Sequence, residues 1–417
     1  MYDSQYDISP VSGISSVSAA APLVLLTLHP TDVLQDHEEP HAIMLRSHGL
    51  QDEEVGPTVR CIARCGAGTN NVPVARMSER GIPVFNSPGA NANAVKELAL
   101  CSLFLASRGV AQSIRAVDEL LSEETDAAVI KKRVEAEKKR FGGQEIKGKT
   151  LGVVGLGAIG ASLAQAAMEL GMDVVAYDPA ISVEQAWKLP GEQITRVLRL
   201  EELLVQADYL SLHVPYMEQT HHMLDGDALK CLKKDCRIIN FARGELIDTD
   251  ALVSMYDSGA FHGNYIADFP DKKLQGYPNV LFMPHLGAST GEAEEVSAAM
   301  AAEEIRDYLE HGIIRNSVNF PETQLPRREG GASRVTIVNR NVPGVLGKIT
   351  TLIGEHSVNI LQTVNTSRGD VAYNVVDLSE KPADIAAMQE AIMNVDGVLS
   401  SRFITGQPGM YYQVNES

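Results

Sequence analysis

Three glycines, Gly155, Gly157 and Gly160, separate an apolar strand-like stretch from one with helical spacing. Glycines in this arrangement allow a tight turn, let the backbone approach a pyrophosphate and pack a helix closely on a strand. The helix N-terminus offers unpaired N–H groups to phosphates. The next strand-like stretch, "DVVAYDP", ends in Asp178, whose carboxylate would accept hydrogen bonds from ribose hydroxyls and repel a 2′-phosphate. The pattern predicts a dinucleotide site that prefers NAD to NADP; a glycine cluster that only packs a helix is the alternative.

Two further side chains, each after a later apolar stretch, suit hydride-transfer chemistry. Arg243 follows "IINFA", and a guanidinium can hold a carboxylate with two parallel hydrogen bonds. His285 follows "VLFMP", and an imidazole exchanges protons near neutral pH. Ligands of open α/β sheets bind at the carboxyl ends of the strands. We therefore expect Arg243 to hold the carboxylate of a small substrate, and His285 to take a hydroxyl proton as hydride leaves the same carbon.

The elements that would position these residues alternate between strands and helices. Six β-rich stretches lie between residues 150 and 287, and four more precede residue 90. This alternation favours mostly parallel sheets that are covered on both faces. From residue 334 the order is strand, helix, strand, strand, helix, strand, which is that of a ferredoxin-like unit. The expected fold class is α/β, with two Rossmann-like, doubly wound parallel-sheet domains and a C-terminal ferredoxin-like domain.

The bulk composition narrows the classes of function. A chain of 417 residues suits two or three domains, and a net charge of −18 argues against general affinity for nucleic acid or anionic membranes. No apolar run is long enough to cross a bilayer. The five cysteines are too few and too irregular for a disulfide framework, and we expect no metal site. Residues 1–21 are rich in Ser and lack Lys and Arg, so we expect a disordered tail on a cytoplasmic protein.

Four segments resemble, in order, the motifs of the NAD-dependent D-2-hydroxyacid dehydrogenases: "GVVGLGAIG", "LSLHVP", "NFARGELID" and "PHLGAST". Within that family, "LRSHGL", "RCGAGTNNV", "GIPVFNSPGANANAVKELA" and "NSVNFP" are similar to the branch that acts on D-3-phosphoglycerate. The tail resembles the serine-binding ACT domain of the same branch. The resemblance implies oxidation of D-3-phosphoglycerate to 3-phosphohydroxypyruvate with NAD, the first step of L-serine biosynthesis. It also implies L-serine as a feedback effector and assembly as a homodimer or homotetramer.

The resemblance also implies roles for individual residues. Arg243 would orient the substrate and His285 would be the acid–base. The remaining substrate contacts would be Arg46, Ser47, Ala67, Gly68, Asn91 and Lys96. The cofactor contacts would be Gly155, Gly157, Ala158, Ile159, Gly160, Asp178, His213, Val214, Pro215, Phe241, Ala242, Asp268 and Gly287. The effector contacts would be Asn339, Asn341 and Asn359.

The sequence departs from the family pattern at one catalytic position. The family pairs its catalytic histidine with a glutamate, and Lys272 stands where that glutamate would align. Asp268 or Asp271 is the candidate replacement, which makes Asp268 a third catalytic position. Asp268 is equally placed to bind the nicotinamide amide.

We expect a substrate-binding domain at 22–98 and 295–320, an NAD-binding domain at 99–294, a linker at 321–332 and an ACT-like domain at 333–417. The active site should lie in the cleft between the first two domains.

Two alternative functions remain. One is another D-2-hydroxyacid dehydrogenase, such as a glyoxylate or hydroxypyruvate reductase, which the tail, Arg46 and Lys96 disfavour. The other is an NAD-sensing corepressor-type binding protein, which Arg243, His285 and the tail disfavour.

Overall fold

The computed structural model describes residues 25–28, 40–181, 194–328 and 333–405. The predicted disordered tail at 1–21 and residues 329–332 of the predicted linker lie outside these ranges. The chain divides into two compact units. The first unit consists of residues up to 64, residues 70–85 and residues from 303 onward; the second consists of residues 65–69 and 86–302.

The N-terminal part of the first unit is a small sheet. Its strands are β1 (Leu25–Leu28), β2 (Ala42–Leu45), β3 (Cys61–Arg64) and β4 (Val84–Asn86), in that spatial order, and helix α1 spans Val74–Glu79. β2 pairs in parallel with both β1 and β3. The side chains of β2 are all buried, as are the first three of β3. Such continuous apolar strands are typical of a parallel sheet that is covered on both faces.

The second unit is built on a seven-stranded sheet in the order β11-β10-β9-β8-β5-β6-β7, and all neighbouring strands in it are parallel. The strands are β5 (Thr150–Val154), β6 (Asp173–Tyr177), β7 (Ile194–Arg196), β8 (Tyr209–Leu212), β9 (Arg237–Asn240), β10 (Tyr265–Ala267) and β11 (Val280–Phe282). The helices are α2 (Ala92–Ser107), α3 (Val110–Glu123), α4 (Ala127–Glu137), α5 (Ala158–Glu169), α6 (Leu200–Leu204), α7 (Gly226–Lys230) and α8 (Thr249–Asp257). Helix α9 (Gly291–His311) continues into the first unit.

The C-terminal part of the first unit is an antiparallel sheet with two helices. Its elements are β12 (Ser333–Arg340), α10 (Val345–Glu355), β13 (Ile360–Arg368), β14 (Val371–Leu378), α11 (Ile385–Met393) and β15 (Val398–Ile404), and the spatial strand order is β13-β14-β12-β15. This is the predicted ferredoxin-like order. The prediction of an α/β fold on parallel sheets is likewise confirmed. Among the described residues, no helix is both long and apolar enough to span a membrane.

Candidate active site

The glycine loop joins β5 to α5 in the second unit. Gly155 has a φ of 90°, in the left-handed region that favours glycine, and a Cβ there would lie 2.6 Å from the carbonyl oxygen of His213. A Cβ on Gly160 would lie 1.9 Å from the carbonyl oxygen of Gly155. Around the Cβ position of Gly157, by contrast, there is open space. The fold therefore requires the first and third glycines, while the second keeps the approach to the helix open.

The beginning of α5 is suited to an anion. Gly157 is the N-cap and has no side chain to occupy the first N–H groups of the helix, which belong to Ala158, Ile159 and Gly160. These donors and the positive end of the helix dipole both favour a phosphate. The residues present fit the pyrophosphate of a dinucleotide.

Asp178 follows β6 and is tied to the same loop. Its Oδ2 accepts a hydrogen bond from the N–H of Leu156 at 2.7 Å, and its Oδ1 accepts one from the N–H of Ala180 at 2.9 Å. Each carboxylate oxygen can accept a further hydrogen bond. Asp178 can therefore hold the glycine loop and bind ribose hydroxyls at the same time.

His213, Val214 and Pro215 follow β8 and border the glycine loop. The N–H of His213 donates to the carbonyl of Val154 at 2.7 Å, and its Nε2 lies 2.8 Å from Oγ of Ser211. Burial lowers the pKa of His213 to about 4, so its ring is neutral near pH 7. This segment therefore adds no positive charge beside the loop.

Arg243 lies just beyond β9, and Asn240 shapes its backbone. Asn240 is fully buried; its Nδ2 donates to the carbonyl of Arg243 at 2.8 Å, and its Oδ1 accepts from the N–H of Ala242 at 3.1 Å. The Nη1 of Arg243 donates to the carbonyl of Ala242 at 2.7 Å, which orients the guanidinium. Phe241 is buried in the core below this turn.

The loop of Ala67 and Gly68 approaches this guanidinium. A Cβ on Gly68 would lie 3.4 Å from Nη2 of Arg243. The loop is held in place by Asn86, whose Nδ2 donates to the carbonyl of Ala67 at 2.6 Å. Backbone amides and a guanidinium side by side form a suitable site for a substrate carboxylate.

His285 lies just beyond β11 in a strained turn. Its φ is 55°, and its N–H donates to the carbonyl of Asp268 at 3.2 Å. The buried carboxylate of Asp268 accepts hydrogen bonds from the N–H of Leu286 at 2.9 Å and from the N–H of Gly287 at 2.6 Å. Asp268, at the end of β10, thus fixes the turn from which the His285 side chain projects. The His285 side chain itself is exposed.

The ring of His285 packs against an aromatic ring. Its centroid lies 5.2 Å from that of Phe269, with an interplanar angle of 61°. Within the described part of the chain, no carboxylate forms a hydrogen bond or ion pair with the His285 ring. Asp271 caps the turn at 272–274, where its Oδ1 accepts from the N–H of Lys273 at 2.9 Å, and Lys272 is exposed. A carboxylate partner of His285, whether Asp268 or Asp271, stays a prediction.

These segments lie on one edge of one sheet. Because all seven strands are parallel, the glycine loop, Asp178, Arg243 and His285 share its carboxyl edge.

Comparison with known proteins also identifies a cofactor-binding domain in this part of the chain. The family model for the D-isomer specific 2-hydroxyacid dehydrogenase, NAD binding domain, matches residues 114–287. The D-3-phosphoglycerate dehydrogenase of Haemophilus influenzae is 33% identical over 380 residues, which are 88% of this chain and 87% of that one. The chain belongs to the D-isomer-specific 2-hydroxyacid dehydrogenase family.

Two further relatives of this dehydrogenase extend the comparison. The D-3-phosphoglycerate dehydrogenase of Escherichia coli is 32% identical, and the match covers 88% of this chain and 87% of that one. The solved NAD+-bound 3-phosphoglycerate dehydrogenase of Entamoeba histolytica is 26% identical, with a TM-score of 0.54, and covers 70% of this chain and 86% of that one. The matching NAD-binding domain confirms the predicted cofactor.

The other predicted substrate contacts of the dehydrogenase are divided between the units. Arg46 and Ser47 follow β2 in the first unit. Asn91 and Lys96 lie at the start of α2 in the second unit, where Nζ of Lys96 donates to Oδ1 of Asn93 at 2.5 Å. The start of α2 lies beside that of α5, since a Cβ on Gly89 would be 3.3 Å from the Cβ of Ala158. Roles in substrate binding for all four residues stay predictions.

The three predicted effector residues differ in their environment. Asn339, in β12, is buried; its Oδ1 accepts from Nδ2 of Asn374 at 2.6 Å, and its Nδ2 donates to the carbonyl of Arg340 at 2.7 Å. Asn341 and Asn359 are exposed. Nδ2 of Asn341, just after β12, donates to the carbonyl of Gly369 at 3.1 Å, in the turn between β13 and β14. The two exposed amides are more accessible to a ligand than Asn339.

Two residues important for the site's geometry were missed by the sequence analysis. Asn240 and Asn86 are each the last residue of a strand, β9 and β4, and each holds a neighbouring loop of the site by hydrogen bonding to its backbone. A signal was present, because a polar amide at the end of a buried strand needs a hydrogen-bond partner. The sequence could not show which backbone would supply that partner.

Proposed function

We propose that this dehydrogenase oxidises the C2 hydroxyl of D-3-phosphoglycerate with NAD to give 3-phosphohydroxypyruvate, the first step of L-serine biosynthesis. The observation that carries the proposal is the placement of Arg243 and His285 at the ends of β9 and β11, on the edge that also bears the glycine loop. The substrate assignment is supported by the names of the relatives from Haemophilus influenzae and Escherichia coli.

Two side chains have different roles in the proposed reaction: Arg243 binds and orients the substrate, and His285 transfers the proton. Arg243 and the neighbouring amides of 67–68 bind the substrate carboxylate and so orient C2. His285 accepts the proton of the C2 hydroxyl while the C2–H bond breaks and the carbonyl forms. The glycine loop, the start of α5 and Asp178 would hold NAD, which would supply the acceptor for the hydride that leaves C2. In the reverse direction, protonated His285 returns the proton to the carbonyl oxygen and Arg243 stabilises the charge that develops there.

The experiment that tests this proposal follows NADH consumption with 3-phosphohydroxypyruvate, hydroxypyruvate and glyoxylate. We expect kcat/KM to be highest for 3-phosphohydroxypyruvate. A preference for glyoxylate or hydroxypyruvate would assign the chain to the reductases of the family instead. NAD binding without turnover of any of the three would identify it as a binding protein.

We further propose that the protein is a homodimer or a larger homo-oligomer. Five apolar side chains on α2 and α3 are exposed: Phe104, Val110, Ile114, Val117 and Leu121. The last four recur at helical spacing on one face of α3, and Ile114 and Leu121 are 57% and 54% exposed. An apolar stripe of this kind is typical of a protein–protein interface. Light scattering of the double variant Ile114→Lys, Leu121→Lys should give a lower mass than the wild type; an unchanged mass would exclude this face.

We propose in addition that the C-terminal part of the first unit, from β12 to β15, is an ACT domain that binds L-serine through Asn341 and Asn359. Support comes from its ferredoxin-like topology and from the exposure of both amides. A titration in which L-serine leaves the initial rate unchanged would remove this proposal. We also propose that the reaction takes place in the cytoplasm, because the five cysteines, all in the part of the chain that the structure describes, form no disulfide, and reduced thiols are typical of a reducing compartment.

A further inference from the structure

The segment from Arg46 to Leu50 follows β2 and bears the predicted contacts to the phosphate end of the substrate. Ser47 and Gly49 in this segment are exposed, whereas Leu50 is buried and 3% exposed. The segment belongs to neither a helix nor a strand, so its carbonyls need partners from elsewhere in the chain. We call residues 46–50 the β2 loop.

Asn71 forms three hydrogen bonds with the β2 loop. Its Nδ2 donates to the carbonyl of Arg46 at 3.1 Å and to the carbonyl of His48 at 2.7 Å. Its own carbonyl accepts from the N–H of Leu50 at 2.9 Å. A fourth bond comes from Arg64, whose Nε donates to the carbonyl of Arg46 at 3.2 Å. Two backbone carbonyls of the loop therefore converge on one amide nitrogen.

We propose that Asn71 is a positioning residue for the phosphate end of the substrate, an inference that rests on the proposed function. A primary amide is the only neutral side chain that presents two N–H donors on one atom, and this is what two converging carbonyls require. By fixing these carbonyls, Asn71 fixes the backbone that carries Arg46 and Ser47. Arg64 supports the same carbonyl and is the secondary contact.

The consequence of this arrangement is selective. Loss of a contact that is equally strong in the ground state and the transition state raises KM and leaves kcat unchanged, and a displaced phosphate-binding group affects only substrates that carry a phosphate. Loss of Asn71 should therefore weaken binding of substrates that carry a phosphate and spare those that lack one. A residue with only a structural role would affect both substrates equally.

The test compares wild type, Asn71→Leu and Asn319→Leu in NADH-dependent reduction. Leucine has nearly the shape of asparagine but no hydrogen-bonding groups. Asn319 is the matched control: in the same unit, its Nδ2 donates to the carbonyl of Ile82 at 3.0 Å and to Oγ of Ser78 at 3.1 Å, and its Oδ1 accepts from the N–H of Val84 at 2.8 Å. The measured quantities are kcat and KM for 3-phosphohydroxypyruvate and for hydroxypyruvate.

For Asn71→Leu we expect KM for 3-phosphohydroxypyruvate to rise about 10- to 100-fold, with kcat near wild type and the parameters for hydroxypyruvate unchanged. Asn319→Leu should leave the ratio of the two kcat/KM values as in the wild type. An Asn71→Leu enzyme that keeps the wild-type ratio overturns the inference. If Asn71→Leu does not fold, the Arg64→Met variant is measured instead. It should lower kcat/KM for 3-phosphohydroxypyruvate relative to kcat/KM for hydroxypyruvate, though by less than is expected for Asn71→Leu. An unchanged ratio of the two values overturns the inference. A wild type without preference for the phosphorylated substrate overturns the proposed function itself, and the inference with it.

Discussion

The carboxyl edge of the seven-stranded sheet and the C-terminal sheet use polar side chains in different ways. We call the former the catalytic edge, because it carries the proposed active site. At the catalytic edge, Asn240 and Asp268 are buried and hydrogen-bond to backbone, whereas His285 is exposed and Arg243 is only half-buried. In the C-terminal sheet, Asn339 was predicted to bind a ligand, yet both ends of its amide bond to neighbours inside the fold.

The difference indicates which polar side chains are available to bind a substrate or another ligand. At the catalytic edge, the residues that hold the backbone and those that can reach a substrate are different residues, so either set can be changed separately. In β12 the predicted binding residue is itself one of those that hold the sheet together. Its hydrogen-bonding groups are already engaged, and a buried amide is expensive to leave without partners. The following substitutions test this comparison.

His285→Asn should have the largest effect on turnover. Asparagine tolerates the left-handed backbone that a φ of 55° requires, so the turn should persist while the proton acceptor is lost. We expect kcat to fall by about 1000-fold, in the range of general acid–base catalysis. Steady-state kinetics measures kcat, and a fluorescence titration should show that NADH affinity is unchanged. A variant with near-normal kcat would exclude His285 as the acid–base.

Arg243→Lys should come next. Lysine keeps the positive charge but cannot offer two parallel N–H groups to a carboxylate. We expect kcat/KM for the substrate to fall by about 100-fold, mainly through KM. Arg237→Lys is a control that makes the same substitution away from the catalytic edge, because Arg237 lies at the opposite, amino end of β9. An equal loss in both variants would contradict a specific role for Arg243.

Asp268→Asn tests a residue that holds the backbone at the catalytic edge. The amide cannot accept from both the Leu286 and the Gly287 N–H groups, because one of its two ends is now a donor. We expect kcat to fall about tenfold as the turn loosens, and the protein to lose about 2 kcal/mol of stability. Kinetics and chemical denaturation measure the two quantities. A large loss of kcat without loss of stability would instead indicate direct participation of Asp268 in the reaction.

The features predicted from sequence were those that depend on local pattern. Gly155 and Gly160, Arg243 and His285 were all found because each ends or follows an apolar stretch whose length marks a buried strand. Strand β7 was missed because it is a three-residue edge strand in which only Ile194 is buried, so no apolar run marks it. The positioning roles of Asp268 and Asn240 were missed for another reason. The N–H groups that bond to Asp268 become its neighbours only through the pairing of β10 and β11, which no local pattern specifies. The partners of Asn240 are close in the chain, at Ala242 and Arg243, but the apolar strand pattern does not specify the conformation of the turn that follows β9.

The smallest effect on turnover, and the sharpest test of the comparison, is expected in the C-terminal sheet. Asn339→Leu leaves the buried Nδ2 of Asn374 without its 2.6 Å acceptor, so we expect a loss of about 1–3 kcal/mol in stability with an unchanged kcat. Asn341→Ala removes one bond at an exposed site and should change stability by less than about 0.5 kcal/mol. Thermal unfolding and kinetics in the presence of L-serine measure both variants. If Asn341→Ala alone loses the serine response, ligand binding and sheet stability depend on different residues here too. If Asn339→Leu is as stable as wild type but unresponsive to serine, its amide is a ligand contact after all, and the contrast between the two sheets disappears.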